Sequence, residues 1–386
     1  MNFDLLHSPD VYFGAGKLSL LPQVIDEPSA ELLVVASGSV LKLAPVKQVL
    51  DELNTHVFVA KGEPDVTQVD SGVTLAVETA CSVVVGFGGG AALDAGKAIA
   101  GLVTNGGSAR DYMEVIGKGL SLRKPSLEYI AVPTTAGTGS EVTKNAVLAS
   151  KEDKFKASLR SPFLVPRKVI VDPSLALSVP PDVTARTGMD ALTQLVEPYT
   201  SNKAQPITDA LALVGLRKVA GSLKKVFSDG SDLSARSDMA LAALLSGFAL
   251  ANAGLGAVHG FASPLGAMYP APHGSVCAAL LANVVEANIQ TLASHDRNHP
   301  CLSRYAQVAE VLIEKSFPTQ DMALKELTTH LKELTAFLDI PTLRSFGVSP
   351  NDLPSIVENA TRASSMKYNP VLLTPDIMTS ILEKSL

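Results

Sequence analysis

Four short runs, Leu32–Ala36, Ser82–Gly86, Tyr129–Pro133 and Val169–Asp172, are apolar almost throughout and are bounded by Gly, Pro, Ser or Asp. A strand with one face in water alternates apolar and polar residues. A strand covered on both faces does not, so these runs read as parallel strands with crossover helices packed on either side. After Asp172 the β-branched runs vanish, and Ala- and Leu-rich segments recur at helical spacing over Ile207–Lys225, Asp238–Ala253 and Met322–Leu338. Pro173, Pro180 and Pro181 crowd the junction, where neither a helix nor a ladder can continue through a proline pair. The expectation is an α/β domain over residues 1–179 and an all-α domain over 180–386, two domains being also what 386 residues suggest. No internal repeat or low-complexity tract interrupts this plan.

The formal charge of −6, with a pI near 5.7 and no dense Lys/Arg run, argues against nucleic acid as a partner. Cys81, Cys277 and Cys301 are spaced like neither a zinc knuckle nor a disulfide framework, which fits a reducing compartment. Cys81 and Cys277 read as core fillers. The start of the chain shows no basic segment followed by an apolar one, so the cytoplasm is the expected location. Met239–Val285 carries no Asp, Glu, Lys or Arg, yet Gly254, Gly256, Pro264, Pro270 and Pro272 break it. It therefore reads as a buried helix followed by an irregular loop rather than a membrane span.

Strand Ser82–Gly86 runs into Phe87, Gly88, Gly89, Gly90, Ala91 and Ala92, with Asp94 and Lys97 in the helical pattern that follows. Glycines between a buried strand and a helix let the backbone approach an anion, and the helix N-terminus offers free N–H groups. Gly86, Gly88 and Ala91 satisfy a loose G-x-G-x-x-[GA] pattern, which is weak by itself. A Walker A loop is excluded, because Ala91 stands where its first glycine belongs and Ala98 where Ser or Thr must follow the lysine. A tight turn that binds nothing is the bland alternative. A second small, polar loop, Thr134 to Thr143, lies beyond strand Tyr129–Pro133, where α/β sheets bind ligands. A Ser/Thr helix cap explains it equally well.

His259 and His273 sit fourteen positions apart inside the uncharged stretch, with the helical carboxylate Asp190 upstream. Imidazoles in so apolar a setting need partners, and a divalent cation held by two imidazoles and a carboxylate is one solution. Ordinary buried histidines bonded to backbone are the other.

Taken together and in order, Gly88-Gly89-Gly90 with Asp94 and Lys97, Pro133-Thr134-Thr135-Ala136-Gly137-Thr138-Gly139-Ser140-Glu141-Val142-Thr143, Gly188-Met189-Asp190-Ala191-Leu192, and His259…Pro264-Leu265-Gly266…Pro272-His273-Gly274 resemble the iron-containing (group III) alcohol dehydrogenases. The likeness runs from Val11-Tyr12-Phe13-Gly14 to Asn369-Pro370, essentially the whole chain. It implies a dehydroquinate-synthase-like fold, with an α/β nucleotide-binding N-terminal domain and a helical C-terminal domain. It also implies a homodimer and hydride transfer between NAD(P) and a small alcohol or aldehyde. In such proteins the metal, iron or zinc, is held by an Asp and a His one helical turn apart plus two later histidines. Asp190, His259 and His273 fall on three of those positions. The resemblance assigns the cofactor to Ser37, Gly88, Gly89, Gly90, Asp94, Thr134, Thr135, Thr138, Ser140 and Lys156.

Two positions depart from the family pattern. The fourth ligand position holds Gln194, whose amide oxygen is a weaker donor, and the histidine credited with proton relay is replaced by Ser263. Three protein ligands still leave a catalytic metal site workable, as in the related dehydroquinate synthases and glycerol dehydrogenases, whereas maleylacetate reductases work without metal. With Ser263 in place, the proton is expected to leave through that hydroxyl, water and a cofactor ribose. After Leu32–Ala36 the chain reads Ser37, Gly38, Ser39, without the carboxylate that repels a 2′-phosphate, so NADPH is admitted. Lys144, Lys156 and Arg160 are candidate anchors for an acidic substrate, or solvated surface residues. The rivals are a metal-free reductase, a lyase of the dehydroquinate synthase type, and a dinucleotide sensor with a decayed site.

Overall fold

The computed structural model describes residues 3–6, 9–153 and 155–386. Leu6–Ser178 forms one compact unit, and Val179–Leu386, with the described residues ahead of Leu6, forms the other.

The strands of the first unit are β1 (Asp10–Phe13), β2 (Leu32–Ser37), β3 (Thr55–Ala60), β4 (Val83–Gly88), β5 (Glu128–Pro133), β6 (Asn145–Ser150), β7 (Phe155–Arg160) and β8 (Lys168–Val171). Its helices are α1 (Leu21–Val24), α2 (Ala44–Leu50), α3 (Val66–Glu78), α4 (Gly90–Asn105) and α5 (Ala109–Tyr112). Six strands pair in parallel in the order β1-β8-β5-β4-β2-β3, while β6 and β7 form a separate antiparallel hairpin. The four expected strands are β2, β4, β5 and β8. β3 escaped notice because it is the outer strand: Val57 and Val59 are exposed, so no uninterrupted apolar run was needed.

Alternate residues explain the absence of alternation elsewhere. Leu32, Val34, Val83, Val85, Phe87, Ile130 and Val132 pack on one face with Leu21, Val46 and Val49, whereas Leu33, Val35, Val84 and Ala131 are fully buried on the other. Each buried Val or Leu contributes about 1.5–3 kcal/mol. Tyr129 wedges beneath α4 and donates its hydroxyl to the Leu93 carbonyl at 2.9 Å. A Cβ on Gly86 would lie 2.2 Å from that hydroxyl oxygen. The first glycine of the loose dinucleotide pattern is therefore required by core packing.

From β2 the chain steps outward to β3, then returns to β4 on the other side of β2 and continues to β5. The neighbours β2 and β4 thus mark the topological switch point, where open α/β sheets receive ligands at the carboxyl ends of their strands. Ser37 ends β2 and Gly88 ends β4.

The second unit is helical: α6 (Pro181–Thr200), α7 (Pro206–Ser228), α8 (Leu233–Ala253), α9 (Ala257–Met268), α10 (His273–His295), α11 (Pro300–Ile313), α12 (Gln320–Phe337), α13 (Leu353–Thr361) and α14 (Pro375–Ser385). α8 and α10 are long and apolar enough to cross a membrane by length and composition, but half to two-thirds of each apolar window is buried within the unit, and both pack on α6. The irregular loop expected after α8 is instead largely the helix α9. Pro264 lies inside α9, where it withdraws one backbone donor, and Gly260 one turn earlier makes room for Met366.

Candidate metal centre

Three residues of α6, Asp190, Gln194 and Glu197, are spaced i, i+4 and i+7 and so lie on one helical face. All three are buried. α9 begins at Gly256, whose lack of a side chain leaves the first N–H groups of the helix without an ordinary cap. Glu197 supplies one: its Oε1 accepts the Val258 N–H at 2.7 Å, and Asn369 Oδ1 accepts that of Ala257 at 3.2 Å. The other oxygen of Glu197, Oε2, lies 2.6 Å from His259 Nδ1. A proton on Nδ1 donates to that carboxylate, which leaves the Nε2 lone pair facing Asp190 Oδ1 at 3.4 Å. His273 opens α10, and its Nε2 lies 3.7 Å from the same oxygen.

Cys277 follows His273 by one turn of α10. It is no mere core filler, because its Sγ stands 3.8 Å from His259 Nε2 and 3.7 Å from His273 Nε2. The ligand atoms of Asp190, His259, His273 and Cys277 all lie within 4.8 Å of one another. Among them Asp190 Oδ1 is buried without a hydrogen-bond partner, an acceptor that a cation satisfies. The donor set, a carboxylate, two imidazoles and a thiol, fits a divalent transition metal.

The electrostatics agree. Burial alone would raise the Asp190 carboxyl, but His273 and His259 outweigh it and hold the group below the ordinary carboxylate value. Burial likewise opposes charge on His259, yet Cys277, Glu197 and Asp190 together lift it well above the usual histidine value. The negative groups that draw protons to the imidazoles are the ones that would neutralise a bound cation.

Gln194 does not present a free oxygen to this cluster. Its Oε1 accepts the Ser246 hydroxyl at 3.0 Å, and its amide N–H side faces the Asp190 carboxylate. The amide acts as a donor that orients Asp190. Ser263, one turn beyond His259, is exposed. His273, with 41% of its side chain exposed, is the accessible member of the cluster.

In the α/β unit the two glycine- and threonine-bearing loops are brought together beside Ser37. A Cβ on Gly88, whose φ is +151°, would meet Ala92 Cβ at 2.8 Å and Ser37 Oγ at 3.8 Å. One on Gly89 would meet Thr135 Oγ1 at 3.0 Å, and one on Gly90 would meet Thr138 Cγ2 at 2.7 Å. Thr134 N–H donates to the Gly88 carbonyl at 2.9 Å. No acidic residue occupies the first turn of α4, so its N-terminus suits a phosphate. Asp94 and Ser140 bond each other, and the other Asp94 oxygen accepts the Val147 N–H at 2.9 Å. Both brace the loops from beneath. Lys97, 1% exposed, donates to the Ser140 carbonyl at 2.8 Å and the Asn145 carbonyl at 2.6 Å and lies 3.3 Å from Asp94. Lys156, in β7, pairs with Glu63 at 3.4 Å, and Arg160 with Glu114 at 3.3 Å.

Sequence reasoning missed Glu197 and Cys277. Both carried a signal: Glu197 follows Asp190 by two helical turns and Cys277 follows His273 by one.

Two family models cover nearly the whole chain: iron-containing alcohol dehydrogenase over residues 8–173, and the C-terminal part of the Fe-containing alcohol dehydrogenase family over 184–386. Alcohol dehydrogenase 4 of Saccharomyces cerevisiae is 33% identical over 385 residues, covering 98% of this chain and 97% of that one. Among solved structures, a 1,3-propanediol oxidoreductase matches with a TM-score of 0.91 and 32% identity over all of both chains. A sulfoacetaldehyde reductase of Bifidobacterium kashiwanohense in complex with NAD+ matches with 0.87 and 27%, over 100% of this chain and 99% of that one. These likenesses disfavour the lyase, the metal-free reductase and the non-catalytic sensor. The protein is an enzyme that interconverts an alcohol and its aldehyde or ketone, with NAD(P) and a divalent metal as cofactors. The chain belongs to the iron-containing alcohol dehydrogenase family.

Proposed function

We propose that Asp190, His259 and His273 hold the divalent cation of a dehydrogenase for short alcohols and aldehydes that admits NADPH. The observation that carries this reading is Asp190 Oδ1, buried, without a donor, and faced by two imidazole nitrogens at 3.4 and 3.7 Å. The bound cation supplies Lewis acidity to the substrate oxygen in either direction. Glu197 holds His259 in the tautomer whose Nε2 faces the cluster. The exposed hydroxyl of Ser263 hands the alcohol proton to solvent. Ser37, Gly88, Gly89, Gly90, Thr134, Thr135 and Thr138 line the nucleotide side, Asp94 and Ser140 hold them in place, and Ser37-Gly38-Ser39 offers a 2′-phosphate no repelling carboxylate.

Small size is supported by the names of two similar proteins, which specify 1,3-propanediol and sulfoacetaldehyde. An uncharged substrate is favoured here because Lys156 and Arg160 are already paired with Glu63 and Glu114. The free, buried state of Cys81, Cys277 and Cys301 supports a cytoplasmic location. The exposed Val57 and Val59 on the edge strand β3 support a homodimer. The test is net oxidation of NADPH and of NADH by the metal-loaded protein across a panel of two- to four-carbon aldehydes. Turnover with NADPH is expected; strict NADH use refutes its admission, and no net nicotinamide oxidation refutes the reaction.

A further inference from the structure

We infer that Cys277 Sγ is the fourth protein ligand of the metal, in place of the imidazole missing at Gln194, and that it makes this a zinc site rather than an iron site. The inference rests on the metal-dependent reading above and adds a ligand that the family pattern does not contain.

Geometry comes first. With bonds of about 2.05 Å to N or O and about 2.3 Å to S, near-tetrahedral spacing of four donors puts separations at about 3.35 Å for an N/O pair and about 3.55 Å for an S/N pair, and the substrate oxygen then enters as a fifth ligand. The corresponding separations are 3.4 and 3.7 Å for the two imidazole–Asp190 edges and 3.8 and 3.7 Å for the two thiol–imidazole edges. Along these four edges the excess is a few tenths of an ångström at most, and the remaining two edges are no longer than 4.8 Å. Side-chain placement is the second observation. Gln194 is turned with its oxygen toward Ser246, and the fully buried sulfur on α10 stands beside both imidazoles instead. The third is Asp190 Oδ1, unpartnered in a residue 2% exposed and within 4.8 Å of the other three ligand atoms. Chemistry then selects the ion: one thiolate among two imidazoles and one carboxylate softens the donor set, and soft ligands favour zinc over iron(II).

The experiment uses full-length protein stripped of metal and titrated with cobalt(II), whose complexes report thiolate ligation as an intense near-ultraviolet charge-transfer band and coordination number through the visible bands. The expected result is a charge-transfer band at one cobalt per chain in the parent, absent in both Cys277→Ser and Cys277→Ala while visible bands persist. Under anaerobic competition, the zinc-to-iron loading ratio should fall by about tenfold or more in Cys277→Ser. Adding Gln194→His to Cys277→Ser should restore affinity without restoring the charge-transfer band. Cobalt bound in the parent with visible bands but no charge-transfer band overturns the ligand assignment and leaves the dehydrogenase reading intact. Absence of any bound cobalt overturns both. A charge-transfer band that survives in the variants also overturns the assignment.

Discussion

Glu197 carries two loads at once, and replacing it with Gln separates them. The carboxylate has two acceptor oxygens, one 2.6 Å from His259 Nδ1 and one 2.7 Å from the Val258 nitrogen. A glutamine of the same shape has one acceptor and one N–H₂ group for the same two donors, so one N–H must face another. If the amide oxygen stays on His259, Val258 N–H at the start of α9 is buried without an acceptor, at a cost of about 1–3 kcal/mol. If it turns to Val258, the amide donates to Nδ1, the ring proton moves to Nε2, and the lone pair directed at the cluster is lost. Loss of an orienting carboxylate behind a metal-binding histidine typically weakens the metal 10–100-fold, or about 1.4–2.8 kcal/mol. Because both contacts are buried and short, the upper half of that range is expected for Glu197→Gln. The assay is zinc competition between the stripped protein and a chromogenic chelator, with thermal unfolding measured separately to confirm a folded chain. A folded variant whose zinc dissociation constant lies within threefold of the parent's would refute the reasoning.

Two further outcomes follow, one from a group in each unit. Burial raises the Glu141 carboxyl to about 7, against the opposing pull of Lys97, from an ordinary 4.5. The folded chain thus keeps a proton that the unfolded chain has released, so this contribution, on the order of 3 kcal/mol, is complete below about 4.5 and lost as pH rises through about 7. Denaturant midpoints should fall more steeply between about pH 4.5 and 7 in the parent than in Glu141→Gln; parallel profiles would count against it. For the proton path, Ser263→Ala alters an exposed position, so the fold should hold while kcat drops about ten- to a hundredfold with little change in KM. Steady-state rates equal to the parent's would remove Ser263 from the mechanism.

The parallel sheet was legible because β2, β4, β5 and β8 are covered on both faces and read as bare apolar runs. β3 and the hairpin of β6 and β7 were not, since an outer strand and a small ribbon carry mixed residues that fit a loop equally well. Asp190, His259 and His273 were legible as polar groups in an apolar setting and through the family motifs. Cys277 was not, because a thiol in an apolar helix looks like packing until the spatial neighbours of His273 are known. The pairing of Glu197 with His259 joins two helices sixty-two residues apart in sequence. No local pattern encodes that distance, although the i+7 spacing from Asp190 marks the face. The glycine loop shows the converse. Its glycines pointed to an anion, yet Gly86 serves Tyr129, and Gly89 and Gly90 also make room for Thr135 and Thr138.

The ammonium of Lys97 has a consequence beyond stability. It fastens the first turns of α4 to the segment after β5 through the carbonyls of Ser140 and Asn145, and being 1% exposed it is out of reach of any visiting molecule. The two loops are therefore moored to each other before a dinucleotide arrives, and capture need not wait for either to become ordered. Entropy lost on binding is then chiefly the visitor's own, which favours rapid loading and a receptacle of fixed shape.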